Sequence, residues 1–123
     1  MSSAPIISIV DDDESVLAAM SSLVRSVGYQ SFVFCSAEEF LASPRLHDTS
    51  CLIADVQMAG MSGLDLQDEL TVRRPNMPVI LITALPEERI RKRAEAAGAT
   101  AFLSKPVDGN ALVDYLATAL RGR

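Results

Sequence analysis

Apolar and polar positions alternate in blocks along this chain, and the blocks come in two lengths. Ile6-Ile7-Ser8-Ile9-Val10 is short and β-branched, the pattern of a strand buried on both faces. It stops at Asp11-Asp12-Asp13-Glu14. Val16, Met20, Leu23 and Val27, with Leu17 and Val24 beside them, then form a helical stripe that Gly28 closes as a C-terminal cap. Ser31 to Phe34 predicts a second, weaker strand. Ser36-Ala37-Glu38-Glu39 fits a capping box, with Cys35 and Phe40 placed as a hydrophobic staple. That helix should run to about Ala42 and end before Pro44. Cys51 to Ala54 is a third apolar run, ending at Asp55, and a Gly-, Met- and Ser-containing loop follows from Gln57 to Gly63. Leu64, Leu66, Leu70 and Val72 lie in a helix that Pro75 stops. Val79-Ile80-Leu81-Ile82 is the strongest strand pattern and ends at Thr83. Pro86 suits the first position of the next helix, which carries Ile90, Ala94 and Ala97 inward and ends at Gly98. Thr100 to Leu103 predicts a fifth strand, ending near Lys105. Asp108 caps a last helix with Leu112, Leu116 and Leu120 inward.

Strict strand–helix alternation, five units long, argues an α/β fold: a parallel sheet flanked by five helices on its two faces. No internal repeat, low-complexity stretch or linker interrupts it. Residues 1–123 therefore read as a single domain, with Arg121-Gly122-Arg123 either a frayed end or the start of a linker.

Composition narrows the function classes. At 123 residues and 49% apolar content the chain can bury a core, and 22% charged residues is ordinary for a globular domain. A net charge of −5 makes direct contact with nucleic acid phosphates or an anionic membrane a poor expectation. No apolar run approaches the ~18 residues of a membrane span. Met1 to Ala4 lacks a basic region, and Ile6 to Val10 is too short for a signal core, so a cytoplasmic location is expected. Cys35 and Cys51 lack the spacing of a zinc site and read as buried free thiols.

The strand ends carry the chemistry. In an open α/β sheet, ligands bind beyond the carboxyl ends of the strands. Strand one ends in Asp11 and Asp12, strand three in Asp55, strand four in Thr83, and strand five near Lys105. Clustered carboxylates repel one another unless a cation shares the site, and oxygen donors of this kind suit Mg²⁺. A carboxylate can also act as a nucleophile and form an aspartyl-phosphate, with cationic groups neutralising the transferred phosphoryl oxygens.

Val10-Asp11-Asp12-Asp13-Glu14, Asp55-Val56-Gln57-Met58, Met61-Ser62-Gly63, Ile82-Thr83-Ala84 and Lys105-Pro106, in this order, resemble the receiver domain of two-component response regulators. The resemblance spans essentially the whole chain. Phe34-Cys35-Ser36-Ala37-Glu38-Glu39-Phe40-Leu41 looks like the FixJ-like branch. The resemblance implies a sheet order of 2-1-3-4-5. It implies Asp55 as phosphoacceptor, and Mg²⁺ held by Asp12 and Asp55, by Asp11 mainly through water, and by the Gln57 backbone carbonyl. It implies Lys105 on the phosphate, a cis Lys105-Pro106 bond, and Thr83 with Phe102 as a switch pair. The partner implied is a sensor histidine kinase. A rearranging surface of the fourth helix, fifth strand and fifth helix would meet an output domain or a second receiver copy. Such a domain transfers phosphate only to and from itself and is not a turnover enzyme.

Two departures stand out. Ala59 occupies a position that is usually proline, and Phe102 replaces the tyrosine of many relatives. Two other readings remain. A Mg²⁺-dependent aspartyl-phosphate phosphohydrolase would want an acid/base carboxylate two residues after Asp55, where Gln57 stands. A receiver-like module that only binds protein would not need the intact Asp12, Asp55, Thr83 and Lys105 set. Arg89 to Arg93 holds four basic residues on one helix, with Arg89, Lys92 and Arg93 expected to repel one another on its outer face.

Overall fold

Each predicted strand forms, and parity along it decides what it buries. The computed structural model describes residues 4–121. In it β1 (Ile6–Val10), β2 (Gln30–Phe34), β3 (Cys51–Asp55), β4 (Val79–Thr83) and β5 (Ala101–Ser104) pair in parallel in the order β2-β1-β3-β4-β5. Ile7, Ile9, Cys51, Ile53, Ile80, Ile82 and Ala101 point to one side of the sheet. There they meet Leu17, Met20 and Val24 of α1 (Glu14–Ser26) and Leu112, Leu116 and Ala119 of α6 (Gly109–Arg121). Val10, Phe34, Leu52, Ala54, Val79 and Leu81 point to the other side. That side is covered by α2 (Ala37–Ala42), α3 (Arg45–Asp48), α4 (Gly63–Arg73) and α5 (Glu88–Ala96). The central strands are thus buried on both faces, which is why they read as unbroken apolar runs.

The register levels the strand ends. Val10 stands beside Ala54, Asp55 beside Ile82, and Thr83 beside Ser104. Asp11 therefore leaves β1 level with Asp55, and Lys105 leaves β5 just past Thr83. The chain runs from β1 outward to β2 and then back across to β3. The order reverses between β1 and β3, where Asp11 and Asp55 emerge, and such a reversal opens a crevice.

Several local expectations are corrected. The described residues contain six helices rather than five, because one turn, α3, follows Pro44 and buries Leu46. Ser36 supplies the forward bond of the predicted capping box, accepting from the Glu39 amide at 3.1 Å. Cys35 is exposed, so it neither staples to Phe40 nor forms the buried thiol expected of it, whereas Cys51 is buried. The reason is strand alternation on the edge strand: Phe34 turns inward, and Val33 and Cys35 on either side turn out. Val72 is 81% exposed because it lies about 200° round the helix from Leu70. Val27 is also exposed, and the α1 stripe centres on Leu17, Met20 and Val24. Pro86 sits before α5 rather than in its first turn, held there by a tight turn from the Glu87 amide to the Leu85 carbonyl at 2.8 Å. On α6, Ala119 is buried in addition to Leu112 and Leu116, and Leu120 is half-buried. Of Arg121-Gly122-Arg123, only Arg121 falls among the described residues, as the last residue of α6.

Candidate functional site

Three carboxylates and one ammonium meet at the β1–β3 reversal. Asp11 is 2% exposed and Asp55 is 6% exposed, whereas Asp12 reaches into solvent. One oxygen from each of Asp11, Asp12 and Asp55 lies within 4.8 Å of the others. Lys105 Nζ donates to Asp11 Oδ2 at 3.1 Å and to Asp55 Oδ2 at 3.2 Å. The Lys105 backbone amide donates to the Thr83 carbonyl at 2.8 Å, and the following bond to Pro106 is cis. A single lysine thus bridges two buried carboxylates.

That leaves the cluster short of positive charge. Asp55 Oδ1 is buried with no hydrogen-bond partner. Burial pushes the Asp55 carboxyl above its ordinary value, and the Asp11 charge adds to this, against the opposing pull of Lys105. For Lys105, burial would lower the ammonium's value. The hydrogen bond to Asp11 and the charges of Asp55 and Asp11 outweigh that and hold it above the ordinary lysine range. An unpartnered buried carboxylate oxygen beside two more carboxylates is what a hard divalent cation satisfies. The donor set therefore fits such an ion.

Asp13 belongs to the helix, not to the cluster. Its side chain caps α1, accepting from the Ser15 amide at 2.9 Å and the Val16 amide at 3.4 Å. The Ser15 hydroxyl and amide hold its carboxyl below the usual range. Asp11 Oδ1 accepts from the Asp13 amide at 2.9 Å, which fixes the turn from strand to helix.

The loop from Gln57 to Ser62 forms the remaining wall. Asp12 Oδ2 accepts from the Ala59 amide at 3.2 Å, a donor that a proline at this position would lack. Glu38 Oε2 accepts from the Met61 amide at 3.0 Å, tying α2 to the same loop. Gly63 opens α4 so close to β3 that a Cβ there would stand 2.4 Å from the Asp55 carbonyl oxygen. Any larger residue would push the helix off the strand that carries Asp55. Neither the Glu38 tie nor the Gly63 approach was anticipated from the sequence. The Met61-Ser62-Gly63 motif held a signal only for the glycine.

Thr83 is fully buried. Its hydroxyl donates to Gln57 Oε1 at 2.7 Å and accepts from the Leu85 amide at 3.0 Å. Phe102 is half-buried and packs on the α2–α5 side of the sheet, against the cluster that Ile90 also joins. Strand parity puts Thr83, Leu81 and Phe102 on that same face. The structure therefore gathers Asp11, Asp12, Asp55 and Lys105 into one cluster. Thr83 and Gln57 form a bonded pair at its side, and Phe102 lies on the neighbouring strand, on the same face as Thr83.

Comparison with known proteins agrees with this geometry. The response regulator receiver domain family matches residues 7–117. Nodulation protein W of Bradyrhizobium diazoefficiens is 40% identical over 118 residues, covering 96% of this chain and 52% of that protein. Transcriptional regulatory protein FixJ of Azorhizobium caulinodans is 34% identical over 112 residues, covering 91% and 53%. This chain spans about half the length of these curated relatives. A receiver domain structure from Methanospirillum hungatei superposes with a TM-score of 0.90 at 26% identity, over 98% of this chain and 96% of that one. Among the described residues no helix is long and apolar enough to cross a membrane. An aspartate-lined crevice at the reversal of a 2-1-3-4-5 sheet, matched in sequence along nearly its whole length, shows that this chain belongs to the receiver domain family of two-component response regulators.

Proposed function

We propose that residues 1–123 form one cytoplasmic receiver domain that accepts a phosphoryl group on Asp55 from the phosphohistidine of a sensor histidine kinase. The observation that carries this reading is the buried, unpartnered Asp55 Oδ1 beside the Lys105 bridge. One oxygen of the Asp55 carboxylate attacks phosphorus, an O–P bond forms, and the P–N bond to the kinase imidazole breaks. The bonding pair stays on the departing nitrogen, which takes a proton. Lys105 is tethered within reach of the new phosphoryl oxygens and offsets their charge. Asp11, Asp12, Asp55 and the Gln57 backbone carbonyl would hold Mg²⁺, with Asp11 acting mainly through water. When bound, the ion supplies Lewis-acid neutralisation of the phosphoryl charge.

Thr83 then turns its hydroxyl toward the phosphoryl group and Phe102 moves into the space it leaves. The consequence is a rearranged face of α5, β5 and α6, available to an output domain or a second copy. The domain catalyses only its own phosphorylation and dephosphorylation. Against a phosphohydrolase stands the position two residues after Asp55. It holds Gln57, an amide without acid/base capacity, already engaged by Thr83.

Asp55→Asn tests the acceptor. With acetyl phosphate and Mg²⁺, intact-mass spectra of the wild type should show one acid-labile phosphoryl adduct, and those of the variant none, because an amide is a poor nucleophile. An undiminished adduct in the variant would move the acceptor elsewhere.

A further inference from the structure

Thr83 has one hydroxyl proton and, in this structure, somewhere to put it. A threonine hydroxyl donates one hydrogen bond and accepts up to two. Here the short donated bond goes to Gln57 Oε1 at 2.7 Å, the Leu85 amide fills one acceptor site at 3.0 Å, and the Leu85 carbonyl lies at 3.2 Å. Thr83 is 0% exposed, so water does not take the place of these partners. Gln57 is anchored at its backbone end. It follows Val56, whose amide donates to the Ile82 carbonyl at 2.8 Å and whose carbonyl accepts from the Gly63 amide at 3.1 Å. Its side chain therefore reaches Thr83 from a fixed root.

We propose that the Gln57 side chain is a positioning residue that latches Thr83 in the unphosphorylated arrangement. This rests on the phosphoryl-acceptor reading of Asp55. A phosphoryl oxygen on Asp55 would need the same proton that Thr83 now gives to Gln57. The latch and the phosphoryl group therefore compete for one donor, and the switch equilibrium contains the strength of the Gln57–Thr83 bond. Removing the latch leaves Thr83 still satisfied, through the more distant Leu85 carbonyl, so the fold tolerates its loss. The metal site tolerates it too, since Gln57 is assigned there through its backbone carbonyl. Gln57 thus has two separable contributions, one from its main chain and one from its side chain.

The test is a double-mutant cycle on beryllofluoride affinity in saturating Mg²⁺, with Gln57→Met to keep bulk and Thr83→Val to remove the proton. Gln57→Met should tighten beryllofluoride binding about 2- to 12-fold, the span of one net hydrogen bond. In the Thr83→Val background the same change should have no effect. Mg²⁺ affinity without beryllofluoride is measured in parallel for wild type and Gln57→Met. Unaltered or weakened beryllofluoride binding in Gln57→Met, or an equal change in both backgrounds, overturns the latch. A rise in Mg²⁺ affinity alongside would also overturn it, by assigning the tightening to the metal site. Wild-type protein that binds no beryllofluoride at all would instead overturn the phosphoryl-acceptor reading on which the latch rests.

Discussion

At the scale of single residues, the sequence exposed those groups that an apolar strand delivers to its own end. Asp11, Asp55 and Thr83 each sit at or one step past a buried run, and Lys105 lies just beyond another. Strand parity and register then do the rest, so the cluster was legible without coordinates. The Gln57–Thr83 and Glu38–Met61 bonds were not, because they join residues 26 and 23 positions apart through loops whose path no periodicity encodes. The neighbouring Asp12 and Asp13 show how alike adjacent carboxylates look in sequence and how differently they are used. Asp13 commits its Oδ1 to the start of α1, while Asp12 faces the cluster through its side chain. Asp12→Ala should therefore weaken Mg²⁺ binding by roughly a factor of ten or more, whereas Asp13→Ala should leave it nearly unchanged and lower the urea midpoint through the lost cap. Isothermal titration with Mg²⁺ and urea unfolding of both variants read the two effects separately, and equal losses of metal affinity would refute the division of labour.

At the scale of elements, α5 is held differently from its neighbours. Of its inward residues only Ala94 is fully buried, so little apolar area secures it, as its sequence suggested. The expected self-repulsion of its basic face does not materialise in that form. Arg93 reaches across to Asp65 at 3.1 Å and Asp68 at 2.8 Å on α4, and Arg91 is paired with Glu88 and Glu95 along α5. Inside this fringe the buried Gln67 Nε2 donates to the Ala94 carbonyl at 3.2 Å. The helix is therefore tied to α4 by polar links, which the sequence could not show because α4 and α5 are brought side by side only by the order of the sheet. The ion pairs among these links release more readily than an apolar interface, since exposed pairs contribute about 0–1 kcal/mol. The Arg93 hydrogen bond is the main cause of the depressed Asp65 carboxyl. A carboxyl depressed on folding contributes stability that is present above its unfolded value and is lost as pH falls through its folded value. Arg93→Ala should accordingly raise amide hydrogen exchange across α5 at neutral pH and lower stability slightly, and both differences from wild type should vanish below the carboxylate range. Exchange mass spectrometry at the two pH values provides the comparison; a difference that persists in acid would mean that Arg93 acts through packing.

At the scale of the whole molecule, the charges left over decide what the α5, β5 and α6 face can meet. With Arg91 and Arg93 engaged inside the domain, the basic groups of α5 left to reach outward are Lys92 and Arg89, the latter 89% exposed and only loosely set against Glu87 at 3.8 Å. Asp114 and the partly exposed Tyr115 stand on α6, the other helix of this face. A face carrying both signs can pair with a second copy of itself about a two-fold axis, basic α5 residues of one against Asp114 of the other. The net charge of −5 opposes any such association at long range. At ~0.1 M salt, however, the screening length is about 10 Å, so that general repulsion is already weak while contacts within a few ångströms still act. Raising the salt further then weakens the contacts more than the repulsion. We therefore expect a monomer that gains dimer affinity with beryllofluoride, once α5 is loosened from α4, and that gives up the gain at high salt or on Lys92→Glu. Sedimentation at ~100 μM is suited to pairing of roughly −5 to −6 kcal/mol. An activated domain that sediments strictly as a monomer would remove the self-pairing claim and leave this face to an output domain, while a dimer indifferent to salt and to Lys92→Glu would mean that the face pairs through its apolar residues alone.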